Sequence, residues 1–360
     1  MKIAFYSPYL DTAGGGEKYI LTAAEVLSDK YEVFVLLDNH LEEIGAENIK
    51  RKIQKLHDIS FTKINFLKAP IGKNSSFFER LFFLRQFDGL FYLTDGSIFF
   101  STAKKSFLHF QVPFPNLTAR SFWGKIKLSS WHMAIYNSQF TQDYIEKEWP
   151  VNGKVIYPPV STDFFKPLKK KKQIISVGRF FGYLKDKKHQ ILINVFESLV
   201  DENNLNDWSL HLVGAASDGD KDYIDELRHE GNKYKISIHP NLPFEDLKKL
   251  FGESVIYWHA SGYQESDPRK MEHFGITIVE AMASGCIPVV VNKGGAKEII
   301  ENKVNGYLWN EIEELKNFTL ELINRPSLGK RMSMKAKKRS EIFSKDRFAK
   351  NILDVVVKEV

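Results

Sequence analysis

One cysteine, Cys286, stands in 360 residues, so no internal disulfide framework exists and stability must come from packed cores. The expected setting of that thiol is a small buried position just before a strand at Ile287-Pro288. No apolar run approaches the ~20 residues that span a bilayer, and MKIAFYSPYLD lacks the basic-then-apolar pattern of a signal peptide. A cytoplasmic protein is therefore expected, with peripheral contact at the inner face of the cell membrane left open. No Gly-Lys-Ser/Thr follows the glycine triplet at 14–16, which argues against a nucleotide P-loop. No G-x-S-x-G elbow occurs, so a Ser-His-Asp hydrolase has no support. The ten histidines are dispersed, no His/Cys spacing fits zinc, and Asp218-Gly219-Asp220 falls in a glycine-bearing loop after a strand, so no metal site is expected. The net charge is only +6. Its lysines are scattered, without a zinc-finger or RNP-like motif to gather them, so nucleic acid is not an expected partner.

The length exceeds the usual single core and predicts two domains. A hydrophobic fraction of 43% is far too high for a disordered chain. Ile3 to Ser7 reads as a strand, followed by Gly14-Gly15-Gly16, a helix over Glu17–Ser28 and a strand over Glu32–Leu37. A second series opens with a strand over Ile174–Val177 and alternates thereafter. Helices are expected at His189–Val200, Tyr223–Glu230, Phe244–Phe251 and Ile276–Ala283, between strands at Ser209–Val213, Ile236–Ile238, Val255–His259 and Val289–Val291. Such alternation predicts two doubly wound α/β domains with parallel sheets. KPLKKKK, Lys166 to Lys172, has five lysines in seven positions and reads as a solvated linker. The expected division is 1–165, 166–345 and an amphipathic C-terminal helix over 346–360 that could pack back on the first domain.

The most informative stretch is EHFGITIVEAMASG. Glu272 and Glu280 bracket seven residues, with Gly275 at the start of an expected helix whose unpaired N–H groups and dipole suit a phosphate. Two carboxylates beside an anion site match the hydroxyls and phosphates of a nucleotide-sugar. Arg179 and Lys187 follow the first strand of the second series, at the carboxyl end where parallel sheets bind ligands, and two cations there would meet a diphosphate. His109, in FLHFQVPFP, ends a first-domain strand and could reach a ligand, although a lone histidine is more often a structural hydrogen-bonder. Arg80 to Phe100 and Arg120-Ser121-Phe122-Trp123 mix aromatic and basic residues, which could enter a lipid headgroup layer or stack on a sugar.

Taken together, GGGEKYILTAAEVL, YNSQFTQDYI with VIYPPVSTDFF, SVGRFFGYLKDKKHQILI and EHFGITIVEAMASGCIPVVVNKGGAKEII resemble, in order, the motifs of the retaining glycosyltransferases of family 4. That family has the GT-B architecture, two Rossmann-like domains whose sheets face a central cleft. The resemblance implies that Arg179 and Lys187 bind the donor diphosphate, Glu272 faces the donor sugar and Glu280 holds the ribose. It implies that His273, Phe274, Gly275 and Ile276 offer backbone N–H groups, and that Asn241 and Leu242 meet the base edge. Gly15 and Gly16 would approach the donor from the first domain, and His109 would lie near the acceptor or the transferred sugar. Lys188 stands where many members have Gly or Asn, and Pro240 replaces the usual glycine before the base-binding loop.

The expected activity is a metal-independent, cofactor-free transfer of a hexosyl unit, with retention, from an NDP-sugar to a glycan or lipid-linked acceptor in surface polysaccharide or glycolipid synthesis. UDP and GDP are the expected carriers, UDP slightly ahead, and an anionic membrane is an expected peripheral contact. The alternatives are a GT-B-like sugar-nucleotide epimerase and a non-catalytic nucleotide-sugar binding protein.

Overall fold

The computed structural model describes residues 1–72, 75–115 and 117–359. The chain forms two compact units, one of Met1–Pro159 with Asp346–Val360, the other of Val160–Lys345.

The first unit is built on a seven-stranded sheet. Its strands are β1 (Lys2–Tyr6), β2 (Glu32–Leu37), β3 (Ile64–Lys68), β4 (Gly89–Leu93), β5 (Lys105–Phe110), β6 (Met133–Tyr136) and β7 (Gly153–Val155). They run parallel in the order β3-β2-β1-β4-β5-β6-β7. Strands covered on both faces need apolar residues at successive positions rather than alternate ones, and GLFYL of β4 is buried throughout. The helices are α1 (Gly15–Ser28), α2 (Asn39–Ile44), α3 (Ala46–Leu56), α4 (Phe77–Leu84), α5 (Phe122–Leu128) and α6 (Gln139–Ile145). One core joins α1 and α3 to Ile3, Phe5, Val33 and Phe91. The core on the other side of the sheet joins Ala4, Tyr6 and Tyr92 to Leu84 of α4 and Leu128 of α5.

The second unit has a six-stranded parallel sheet in the order β10-β9-β8-β11-β12-β13. Its strands are β8 (Lys171–Val177), β9 (Ser209–Gly214), β10 (Ile236–Pro240), β11 (Ser254–His259), β12 (Ile287–Val291) and β13 (Tyr307–Trp309). Its helices are α7 (His189–Asn203), α8 (Lys221–Glu230), α9 (Phe244–Glu253), α10 (Ile276–Ala283), α11 (Ala296–Ile299), α12 (Ile312–Asn324) and α13 (Pro326–Ser340). The last helix, α14 (Lys345–Glu359), adds Phe348, Ile352, Val355 and Val356 to the first core. Phe348 meets Tyr19 edge-on at 4.9 Å, and Glu359 pairs with His132 at 2.7 Å.

The lysine run differs from its expected linker role. The division between the units falls at Pro159/Val160, ahead of the run, and Lys171 and Lys172 open β8. They pair with Glu253 and Asp207. Lys170 donates to the carbonyls of Ser254 (2.7 Å) and Ser284 (2.8 Å), the residues that close α9 and α10. Carbonyls at helix ends lack intrahelical partners and favour a cation. A lysine-rich segment can therefore enter a fold when each ammonium finds such a partner and the stems lie along the surface.

Candidate active site

In the second unit, glycines let the loops at the carboxyl ends of the strands touch through their backbones. A Cβ on Gly214, the last residue of β9, would lie 1.9 Å from the Gly178 carbonyl after β8. After β12, a Cβ on Gly294 or Gly295 would lie 2.2 or 2.0 Å from the carbonyls of Glu272 and His273. Gly294 also has φ +64°, a conformation that glycine adopts freely. The Gly295 N–H donates to the Glu272 carbonyl at 2.8 Å. The segment carrying Glu272 is thus held by its backbone from the neighbouring loop.

The charged side chains converge on this frame. The Lys187 ammonium donates to Glu272 Oε2 at 2.9 Å and to Ser261 Oγ at 3.4 Å, with Asp186 Oδ2 3.9 Å away. His259, at the end of β11, places Nε2 3.3 Å from the same Glu272 oxygen. The side chains of Lys187 and Glu272 are 19% and 22% exposed, so a ligand can reach the pair while much of the bulk water is excluded. Burial alone would raise the Glu272 pKa. The Lys187 charge and the His259 hydrogen bond outweigh it and hold the carboxyl well below its ordinary range. Burial likewise opposes the Lys187 charge, but Glu272 and Asp186 raise its pKa. Both groups are ionised at neutral pH. Arg179 is exposed, with its guanidinium over the Phe181 ring at 4.6 Å.

Lys188 has a different partner. It adopts φ +58° at the start of α7, and its ammonium bonds Glu265 Oε1 at 2.6 Å. Gly262–Met271 therefore ties Lys188 away from Glu272, and Lys187 alone of the two reaches the carboxylate.

Gly275 opens α10 with φ +114°. A Cβ there would lie 2.6 Å from Ile278 Cδ1, so both conformation and space call for glycine. Phe274 is buried against Phe343 at 5.4 Å, which fixes the turn before the helix. In the first turn, Thr277 Oγ1 lies 2.8 Å from Tyr257 Oη. Glu280 is half-buried, one turn further on. The His273 pKa is lowered by burial, against the opposing charge of Glu272. The start of α10 and the Lys187–Glu272 pair thus stand at the two ends of a three-residue turn.

Asn241 adopts φ +53° after β10, and its side chain is committed locally. Its Oδ1 accepts from Ala216 N–H at 2.9 Å and its Nδ2 donates to the Ala216 carbonyl at 3.0 Å. Leu242 beside it is half-buried.

In the first unit, Gly15 and Gly16 open α1, and a Cβ on Gly16 would lie 2.9 Å from Leu93 Cδ2 at the end of β4. Glu17 organises the loop by accepting from Gly14 N–H (3.0 Å), Thr12 Oγ1 (3.1 Å) and Ser7 Oγ (3.2 Å). His109 is 2% exposed and stacks on Tyr19 at 3.8 Å. Its Nδ1 lies 3.1 Å from the Ile135 carbonyl and its Nε2 2.9 Å from the Gln111 amide. Burial pushes its pKa down to about 4, so the ring is neutral at pH 7. His109, expected near a ligand, is buried within its unit and bonded to the half-buried Gln111.

Sequence reasoning passed over His259, Ser261, Asp186, Gln111 and the Gly294-Gly295 doublet. The signals were present. His259 ends an apolar strand, and the doublet follows β12 directly. Among the described residues no group of three or more His, Cys, Asp or Glu side chains is arranged to hold a metal ion.

Residues 161–339 match the family model for glycosyl transferases group 1. Over 99% of its length the chain is 25% identical to the human GDP-Man:Man(3)GlcNAc(2)-PP-Dol alpha-1,2-mannosyltransferase, covering 87% of that protein. It is 24% identical to the enzyme of the same name from Dictyostelium discoideum, over 99% of this chain and 84% of that one. A glycosyltransferase from Rickettsia africae ESF-5 superimposes with a TM-score of 0.75 at 18% identity, covering 98% of this chain and 97% of the other. HepE from Anabaena, solved with UDP and glucose, gives 0.71 at 19% identity, over 99% and 100%. The fold is GT-B, and the chain is an enzyme, a glycosyltransferase that moves a hexosyl group.

Proposed function

We propose that this hexosyltransferase belongs to the retaining family 4 and uses a GDP-sugar, GDP-mannose first among them, to extend a lipid-linked glycan. The Lys187–Glu272 pair at the start of α10 carries the reading of the site. The carrier follows the curated relatives, named for GDP-mannose and a dolichol-diphosphate glycan, in place of the slight preference for UDP drawn from sequence.

Arg179 and Lys187 bind the donor diphosphate in this reading, and the first N–H groups of α10, with the backbone from His273 to Ile276, meet its oxygens. As the glycosidic bond breaks, negative charge grows on the leaving diphosphate, and fixed cations and helix dipoles stabilise it without having to reorient. Glu272, ionised and anchored by Lys187 and His259, accepts hydrogen bonds from the sugar hydroxyls. Glu280 holds the ribose hydroxyls. Asn241 and Leu242 border the base through backbone atoms, since the Asn241 side chain is spent on Ala216. Gly15 and Gly16 are assigned to donor contact and Gln111, oriented by His109, to the transferred sugar. No cofactor takes part, and metal independence belongs to the proposal. The expected location is cytoplasmic and peripheral at the membrane. Among the described residues no helix is long and apolar enough to cross one.

The first experiment is thermal stabilisation by GDP, UDP and ADP, with and without EDTA. A ligand at a hundred times its dissociation constant adds ~2.7 kcal/mol. Stabilisation by GDP alone, unchanged by EDTA, is expected, followed by α-anomeric transfer from GDP-mannose seen by NMR. Stabilisation by UDP alone would overturn the donor, a need for divalent cation would overturn metal independence, and an inverted product would overturn retention. Sugar-nucleotide turnover without acceptor to an epimerised nucleotide would favour the epimerase.

A further inference from the structure

On the first unit, α4 and α5 carry aromatic side chains turned outward. On α4, Phe77, Phe78 and Phe82 are 49%, 70% and 70% exposed. On α5, Phe122 and Trp123 are 72% and 71% exposed. Among the described residues, every phenylalanine or tryptophan at least 70% exposed lies on these two helices. Both helices send their buried leucine, Leu84 or Leu128, into the same core on one side of the sheet, and the segment between β4 and β5 links them. Thr102 Oγ1 donates to the Leu81 carbonyl of α4 at 2.5 Å, and the Ser101 N–H donates to Ser130 Oγ just past α5 at 2.9 Å. Phe99 lies between them, 5.2 Å from Trp131 and 5.3 Å from the Arg80 guanidinium. The five aromatics therefore belong to one face.

That face is basic. Between Asp95 and Asp143 the chain has no acidic residue, and on α4 the exposed Glu79 stands against Arg80 and Arg85. Arg85, Lys125 and Lys127 are exposed and pair with no carboxylate among the described residues, and Arg85 covers the Phe82 ring at 5.3 Å. Arg80 is half-buried and donates to Ser75 Oγ at 3.2 Å, with no carboxylate partner among them either. Aromatic rings fully presented to solvent are unfavourable in water, and in this density they mark an interaction face. Rings flanked by unpaired cations suit an interface that offers acyl chains beneath anionic headgroups.

We infer that α4 and α5 together form the docking face for an anionic phospholipid surface, with Phe77, Phe78, Phe82, Phe122 and Trp123 entering the headgroup region and Arg80, Arg85, Lys125 and Lys127 meeting phosphates. This deepens the proposed use of a lipid-linked acceptor, but the face rests on its own observations and does not depend on the donor.

Trp123 supplies the readout. The other five tryptophans are at most 6% exposed, so emission change at a lipid surface reports on this residue. The full chain is mixed with phosphatidylcholine vesicles with and without 30% phosphatidylglycerol, assayed by flotation and by quenching with brominated acyl chains. Flotation and quenching only with the anionic vesicles are expected. Quenching should vanish in W123F, and affinity should fall about 25-fold in K125Q/K127Q, at roughly fivefold per charge removed, and on the order of tenfold in F78S/F82S. The substitutions lie on exposed side chains, and an unchanged urea midpoint for each variant shows that the fold persists whichever nucleotide binds, so a failure here is separable from a failure of the donor assignment. No flotation with anionic vesicles, or flotation unchanged by these substitutions, would overturn the inference. So would concentration-dependent self-association abolished by F122S/W123S, which would make the face a contact between two copies.

Discussion

The carboxyl ends of the two sheets have been put to opposite uses. In the second unit, Lys187, Glu272, Asp186 and His259 share a small, partly exposed space in which each charge is held by another. In the first, His109 and Glu17 are buried with their polar atoms satisfied by neighbours of the same unit, and charge without a carboxylate partner lies instead on α4 and α5. Paired charges that remain reachable are ready to exchange a partner for a ligand, whereas enclosed, satisfied groups define shape. Parallel sheets commonly present ligand sites at strand termini, and of these two sheets only the second concentrates charged side chains there.

The contrast breaks most sharply at Glu272. E272Q keeps the shape, removes the charge and leaves Lys187 with Asp186 at 3.9 Å. Loss of fixed electrostatic stabilisation predicts a fall in turnover on the order of 10²–10³. Removing one member of a partly screened pair costs about 2 kcal/mol of stability, less than the 3–5 of a fully buried one. Single-turnover transfer rates and urea unfolding measure the two effects. Turnover within threefold of the parent would remove Glu272 from the site. On the first unit, E17Q should lower stability, since Glu17 accepts from Gly14 N–H, Thr12 and Ser7, and should lower turnover far less than E272Q does.

Gly295 separates frame from chemistry. G295A touches no charged side chain, but its Cβ would lie 2.0 Å from the His273 carbonyl. Overpacking of this kind costs ~1–3 kcal/mol, and relief would shift the backbone before α10. Donor affinity should fall along with stability, as seen by calorimetric titration with GDP. Unaltered affinity would show that the Gly294-Gly295 loop does not hold the site.

The sequence made the alternating α/β architecture readable because parallel strands covered on both faces must be apolar along their length and helices must recur between them. Glu32–Leu37 and Ile276–Ala283 have the expected bounds, and other boundaries moved by a few residues, as frayed ends do. That Lys187 and Glu272 meet and that Gly275 opens α10 accords with charges and a helix terminus placed at fixed chain positions, which is the pattern the proposed donor contacts of Arg179, Lys187 and Glu272 were drawn from. Sequence spacing could not show that Lys188 turns to Glu265, that Lys170 closes two helices, or that His109 is walled in by Tyr19, Ile135 and Gln111. Those outcomes depend on contacts between segments far apart in the chain, and spacing along one segment carries no trace of them.

His109 gives a smaller effect with a definite sign. Its folded pKa of about 4 lies below the unfolded value of ~6.5. Between those values the unfolded chain binds the proton, so the stability due to neutral burial is present above pH 6.5 and lost as pH falls toward 4. H109F should be less stable than the parent at pH 7, because the Ile135 carbonyl and Gln111 lose a partner. The gap should close by about 2 kcal/mol at pH 5, where the parent alone has lost the proton-linked part. Parallel denaturation series at the two pH values measure it. A pH–rate profile with an inflection near 6.5 that H109F abolishes would instead place His109 in the chemistry.

Asn241 carries the smallest expected effect and the finest distinction. Two hydrogen bonds bind its side chain to Ala216, and its φ of +53° is one that asparagine tolerates better than alanine. Because these groups are exposed, N241A should cost only about 1 kcal/mol. N241G should recover the backbone part and leave the hydrogen-bond part lost. With both ends of the amide occupied, nothing remains on the side chain to read a base. N241A and N241G should then weaken GDP and UDP binding by the same factor, through looser coupling of the loops after β9 and β10. A loss confined to GDP would mean that the amide leaves Ala216 when the donor arrives, and that nucleotide choice is made by a side chain which local structure holds in reserve.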